Sequence, residues 1–504
     1  MKKIKIPPIL EKVIIGGVII LLFTTLKGTR GNPSPEYIYD HLRFAGQPFE
    51  LSPERNRYSQ LLSLWKYHSY TLPTEVARIV VPDLGYINGH YVSLYPPGFL
   101  LLATPFFLIG DMIQAAQLFT SLLVLIFGFL SFFLIIRICS VLKINRQISF
   151  LSAFLFIFGT NAWAYTSSIY QHLITTVILL GIIRLLLCKS TFIRNTIIWF
   201  LFGLLMITDY PNAIIALPLG MLFFMSNVTY EKKERSARVS LFLRGIFSAI
   251  GIVPILLFFG FMNKATTGNP FTIAQTAASV ENISPAGTPI YRRANQNNIK
   301  ISFAIDPSRI EQGLNVLLFS FDRGIIWYSP VFLIAFWGIA PALKKNQKLV
   351  WIILSIITVF FVYSIWIDPW GGWAFGPRYL IPALAMGSLF LAFALQKILA
   401  SRLWTGVFLS LGLYSIFISL LGAITSNQVP PYHEATGLHM KYNFLQNYDY
   451  LEKGISGSFL YNEFFQRFIP FQIYFEIIYI ISILFFILLT LRAIQSLRKE
   501  KANI

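Results

Sequence analysis

Long apolar runs recur from one end of the chain to the other, separated by polar connections that are mostly short, with no strand-like alternation between them. Runs near the length that crosses ~30 Å of hydrocarbon predict helices whose solvent is lipid. The pattern predicts twelve spans, at 10–26, 112–137, 147–165, 170–188, 194–208, 211–227, 241–262, 329–343, 349–367, 379–396, 403–424 and 470–491. A further apolar stretch, Pro96 to Gly110, is short and opens on two prolines. It is expected to form a re-entrant or interfacial helix, 96–110, buried by protein at the outer surface. The fold class that follows is an all-α membrane protein, a single polytopic domain over 1–504 with about twelve transmembrane helices and large external loops.

The polar residues between the spans set the sidedness. Arg137, Lys143 and Arg146, then Lys189 and Arg194, the cluster at 231–238, Lys344, Lys345 and Lys348, and finally Lys397 and Arg402 fall on alternate connections. Basic residues mark the cytoplasmic side, so both termini are expected there, in a multi-pass protein of the inner (plasma) membrane. Three long segments, 27–95, 263–328 and 426–467, are left outside. Loops of this length usually carry a function of their own.

Composition agrees with lipid as the main solvent. Hydrophobic residues make up 55% of the chain and charged residues only 12%, with a mean hydropathy of +0.63. A soluble surface needs about 25% charged residues. The net charge of +19 could suggest nucleic acid, but the basic residues flank apolar spans. Topogenesis and anionic membrane lipid explain them, and no nucleic-acid partner is expected. The cysteines, Cys139 and Cys188, each end an apolar span near a lysine, which points to a reduced face and no disulfide framework. The first span follows a basic segment and no small-residue cleavage site follows it, so it reads as a retained helix.

Chemistry-bearing residues gather in the external segments. The first carries Glu54-Arg55-Asn56-Arg57-Tyr58, then His68 to Pro73, Asp83, His90 and Tyr95-Pro96-Pro97. Further along lie His172, Asp209-Tyr210-Pro211, Gly268-Asn269-Pro270-Phe271, Asp322-Arg323-Gly324, Tyr328-Ser329-Pro330, and Trp370-Gly371-Gly372-Trp373 followed by Arg378-Tyr379. In order and common sidedness this set resembles the glycosyltransferase C superfamily, in particular aminoarabinose transferases, protein O-mannosyltransferases and related bacterial membrane glycosyltransferases. The resemblance spans most of the chain between about residues 54 and 396.

That resemblance implies an enzyme: inverting transfer of a hexosyl or pentosyl group from a polyprenyl-phosphate sugar to an envelope acceptor, whether glycan, lipid or protein. It places Glu54 where the superfamily has its catalytic acid and Arg57 on the phosphate-binding arginine. Two departures stand out. Glu replaces Asp at 54 and Arg55 replaces the second acid; Tyr95 moreover occupies the place of a lysine before Pro-Pro, so Asp83 is a rival base and Arg57, Lys66, Arg323 and Arg378 are the candidate phosphate ligands. Glu36 and Asp40 are lesser candidates for the base. Tyr58, His90, Tyr95, His172, Asp209 and Tyr379 are expected to line the substrate pocket. No Asp-x-Asp occurs, so neither a metal nor another cofactor is called for. A twelve-helix transporter or flippase of a lipid-linked or small substrate is the alternative, but carriers place ionisable groups at the midplane and here the polar residues sit in the loops.

Overall fold

The computed structural model describes residues 8–42, 44–233, 236–241, 243–291 and 305–502. Part of the basic cluster at 231–238, and residues 292–304 of the second external segment, lie outside them. Every predicted span falls on helix over most of its length, and the chain is 68% helical. Among the described residues, five helices are long and apolar enough to cross a membrane: Ala116–Val141, Gly245–Thr267, Arg378–Ile398, Arg402–Ile424 and Phe471–Glu500. The remaining apolar helices are shorter. Arg146–Phe158 has 13 residues, a rise of about 20 Å, and is buried almost all round.

Burial orders the bundle. Within Arg378–Ile398, 83% of the apolar window is enclosed, against 28% for Gly245–Thr267 and 33% for Phe471–Glu500. The first is therefore a central helix, packed on Arg146–Phe158, His172–Leu186 and Phe336–Lys345, and the other two present apolar faces to lipid. Glycines allow the closest crossings. A Cβ on Gly338 would lie 1.8 Å from the carbonyl oxygen of Phe390, and one on Gly98 would lie 2.4 Å from that of Ile207. The expected interfacial segment is the helix Gly98–Met112, which folds back on Ala116–Val141 through a turn at Ile113–Ala115.

Two features depart from the sequence reading. The span predicted at 147–165 stops at Gly159, and residues 159–171 run largely non-helical and buried to the start of His172–Leu186, with only the short helix Ala162–Tyr165 inside them. Non-helical backbone is tolerated there because protein surrounds it: Ser419 donates to the carbonyl of Thr160, Asn427 to that of Ala164, and the Ala162 N–H donates to Thr160 Oγ1. The chain is also not purely helical. Among the described residues three antiparallel hairpins occur, one of them Leu84–Ile87 with His90–Ser93, turned at Asn88-Gly89 with both residues at positive φ. Asn-Gly between two short apolar runs is a strong hairpin signal, and it was there to be read.

Candidate active site

One end of the helical bundle carries a cavity of about 1180 Å³. Its walls come from the first external segment, the 159–171 run, the turn after Phe192–Thr208, the 366–379 turn and the third external segment.

The hairpin at 84–93 builds one side. By pairing Leu84 with Ser93 it brings Asp83 beside Tyr95, twelve positions away in the chain. Tyr95 donates its hydroxyl proton to Asp83 Oδ2 at 3.0 Å, and Ser52 Oγ donates to the same oxygen at 2.6 Å. Asp83 is partly exposed to the cavity, and its Oδ1 has no protein donor. The guanidinium of Arg57 lies 4.4 Å from the centre of the Tyr95 ring. Tyr95 thus joins the carboxylate to the cation, in the place where the resemblance implied a lysine.

Arg57 is set by the helix Ser52–Lys66, which starts on Ser52-Pro53 and buries Tyr58, Leu61 and Leu62 on one face. Its partners are neutral: the carbonyls of Pro53 at 3.0 Å and Ile169 at 3.4 Å, and the side-chain oxygen of Gln171. Arg378 lies across Tyr170 from it, with the two guanidiniums 5.5 and 5.1 Å from that ring centre. Nε and Nη1 of Arg378 are buried and have no hydrogen-bond partner. Gly371, at φ +75°, makes the room, since a Cβ there would stand 2.9 Å from Arg378 Nε. Tyr379 stacks on Tyr363 at 4.2 Å, and His172 packs among Tyr170, Tyr165 and Tyr379 with Nε2 unpartnered.

On the far side of Arg57, Gln171 accepts from the arginine and donates through Nε2 to Asp209 Oδ2 at 2.9 Å. Burial raises the Asp209 carboxyl above its ordinary range, against the pull of the Gln171 hydrogen bond and of both arginines.

Several expected site residues are placed elsewhere. Glu54 is fully buried behind the wall, holding the Leu51 N–H at 3.3 Å with its other oxygen unpartnered. Burial pushes its carboxyl up to about 8, while the nearby Lys27 pulls it down. Lys27 itself is paired at 2.5 Å to Glu50, which also accepts from Gly46 N, Ser426 Oγ and Asn427 N and so ties the first external segment to the third. Tyr58 is buried against Phe49 and Phe107. Lys66 is exposed at the far end of its helix, and His90 sits exposed at the hairpin turn, neither of them on the cavity wall. Arg323 is fully enclosed, paired to Asp322 at 2.6 Å and donating to Val429 O at 3.0 Å, which fastens the 370–374 turn to the third segment. Asp368 holds the Gly372 N–H of its own turn and makes no bond to Arg378.

Tyr170, Gln171 and Tyr363 were missed by sequence reasoning. Polar and aromatic residues just before His172 interrupt the apolar pattern, and that interruption was the available signal.

No family model and no curated protein matches the chain. Among solved structures it is similar to ArnT from Cupriavidus metallidurans in the apo state, with 11% identity and a TM-score of 0.48 over 97% of this chain and 76% of that one. It is likewise similar to the same protein bound to undecaprenyl phosphate, with 9% identity and a TM-score of 0.48 over 99% and 79% of the two chains. A third similarity, with 10% identity and a TM-score of 0.39, is to the Archaeoglobus fulgidus oligosaccharyltransferase tethered with an acceptor peptide, covering 83% of this chain and 55% of that one.

Proposed function

We propose that the chain is an integral-membrane glycosyltransferase that moves a sugar from a polyprenyl-phosphate donor to an envelope acceptor at the outer membrane surface. The observation that carries this reading is that one cavity wall presents both Arg378, whose Nε and Nη1 have no hydrogen-bond partner among the described residues, and the carboxylate of Asp83, with Arg57 held just behind that wall by neutral partners. Arginines left unpaired at a buried position are costly unless an anion completes them. A phosphate suits the fork geometry of two guanidiniums. In the proposed reaction Asp83 accepts the proton of the acceptor hydroxyl as its oxygen attacks the anomeric carbon. The bond from that carbon to the phosphate oxygen breaks, inverting the centre, and Arg57 and Arg378 take up the charge that develops on the leaving polyprenyl phosphate. Asp83 is preferred to Glu54 as the base because Glu54 lacks access to the cavity and is held largely protonated at neutral pH.

The test is transfer by purified protein in lipid, using a panel of radiolabelled polyprenyl-phosphate sugars. Asp83→Asn is expected to lower transfer by roughly 10² to 10⁴, the usual worth of a general base, with donor binding kept. Arg378→Ala should weaken donor binding, and Arg378→Lys should restore it only in part. Transfer at the wild-type rate by all three variants would remove the reading.

A further inference from the structure

We infer that Asp209 and Gln171 form the sugar-recognition end of the donor site, and that they select an uncharged, hydroxyl-rich sugar against one that carries a carboxylate. The inference rests on the phosphate reading of Arg57 and Arg378 and deepens it. A sugar joined to phosphate through one oxygen lies within a few ångströms of the groups that hold the phosphate. Gln171 is bonded to Arg57 on one side and to Asp209 on the other, and both Gln171 and Asp209 line the cavity. Asp209 keeps one oxygen with no donor among the described residues, and a partly buried carboxylate lining the cavity gains from a hydroxyl that donates to it.

The charge of the wall sets the selection. Among the described residues the cavity is lined by Glu50, Asp83, Asp209 and Asp368 on the acidic side and by Arg55 and Arg378 on the basic side. Arg55 is committed to the carbonyls of Ile79 and Phe49, at 2.7 and 3.0 Å, and Glu50 is committed to Lys27. Once a phosphate is held by Arg378, with Arg57 behind it, no uncommitted cation remains on the described wall for a second anion. A uronic acid would therefore set its carboxylate near Asp209 without compensation, whereas a neutral hexose offers hydroxyl donors.

The experiment measures binding to the purified full chain in nanodiscs with three probes: bare polyprenyl phosphate, the same carrier bearing a neutral hexose, and the same carrier bearing a hexuronic acid. Wild-type protein is expected to bind the hexose form at least about tenfold more tightly than the hexuronate form, the worth of one hydrogen bond to a charged group. Asp209→Asn should narrow that ratio toward one and change the affinity for bare polyprenyl phosphate by less than it changes the ratio. Gln171→Ala should narrow it as well and also weaken the bare carrier, because Arg57 loses its side-chain partner. A merely structural role for Asp209 would change all three affinities together. Equal binding of hexose and hexuronate forms by wild-type protein would overturn the inference without recourse to any variant. Failure of bare polyprenyl phosphate to bind, or its indifference to Arg378→Ala, would instead overturn the phosphate reading beneath it.

Discussion

At the scale of single residues, the placement of Glu54 has a consequence for stability as well as for catalysis. Its folded carboxyl sits near 8, against 4.5 for an ordinary glutamate, chiefly because burial penalises the charged form. The native chain thus holds a proton that the unfolded chain has released across that window, and linkage makes stability fall as pH rises from about 4.5 through 8. At about 1.4 kcal/mol for each pH unit of that window, the loss amounts to a few kcal/mol. Glu54→Gln has no proton to lose. Melting curves of detergent-solubilised protein between pH 5 and 9 should show wild type losing stability relative to the variant as pH rises; parallel curves would mean that Glu54 is ionised in the fold. Sequence alone could order neither carboxylate. Glu54 held the motif position, but which acid faces the cavity depends on a hairpin that brings Asp83 to Tyr95 and on a helix that turns Glu54 inward. Tyr95, Asp209, Arg378 and Tyr379 line the cavity, each a polar side chain beside a turn at the end of an apolar helix, a pattern visible in sequence, whereas Arg57 lies within the polar helix Ser52–Lys66 and off the wall. Lys66, His90 and Arg323 looked the same in sequence, and what separates them is tertiary: solvent exposure for the first two, and a local ion pair with Asp322 for the third.

At the scale of elements, the site depends on how closely Gly98–Met112 approaches the end of Phe192–Thr208. Gly98 opens that helix directly after Tyr95-Pro96-Pro97, and the Cβ of an alanine there would fall 2.4 Å from Ile207 O and 2.7 Å from Thr208 N. Neither is a flexible side-chain atom, so one helix must shift away from the other. Gly98→Ala is expected to destabilise the protein by roughly 1–3 kcal/mol, the usual cost of overpacking. Because Tyr95 precedes the displaced helix and Asp209 follows the other, it should also lower donor affinity without touching a ligand-binding side chain. A control at Gly220, where an added Cβ meets nothing within 4 Å, should leave both unchanged. Equal melting temperatures for Gly98→Ala and wild type would show that the contact relaxes freely. The elements themselves were the most legible part of the chain, since a lipid-facing helix must be apolar for its whole length. The break at Gly159 was less legible, because residues 159–171 are buried by protein even though Thr160, Asn161, Thr166, Ser167, Ser168 and Gln171 make the run polar.

At the scale of the molecule, what remains to be fixed is the side of the membrane on which the cavity opens. The basic connections at Arg137 to Arg146, Lys344 to Lys348 and Lys397 to Arg402 lie at the ends of helices whose other ends reach the cavity, so the positive-inside tendency puts the cavity outside. The first and third external segments then have to be folded together on that face. They are joined there by Glu50, which holds Ser426 and Asn427, and the third segment is tied to the 366–379 turn by Glu434, which accepts from Trp373 Nε1 at 2.6 Å. The prediction uses single cysteines in a background lacking Cys139 and Cys188. Asn88→Cys at the exposed hairpin turn and Thr436→Cys on the third segment should both be labelled by a membrane-impermeant thiol reagent on intact cells, whereas the equally exposed Lys345→Cys should be labelled only after the membrane is opened. All three positions are exposed at the protein surface, so protection cannot be put down to burial. Labelling at Lys345→Cys with protection at the other two would place the cavity in the cytoplasm, beyond reach of an acceptor in the envelope. Protection at one of Asn88→Cys and Thr436→Cys but not the other would be incompatible with the Glu50 contacts, which require both segments on one side.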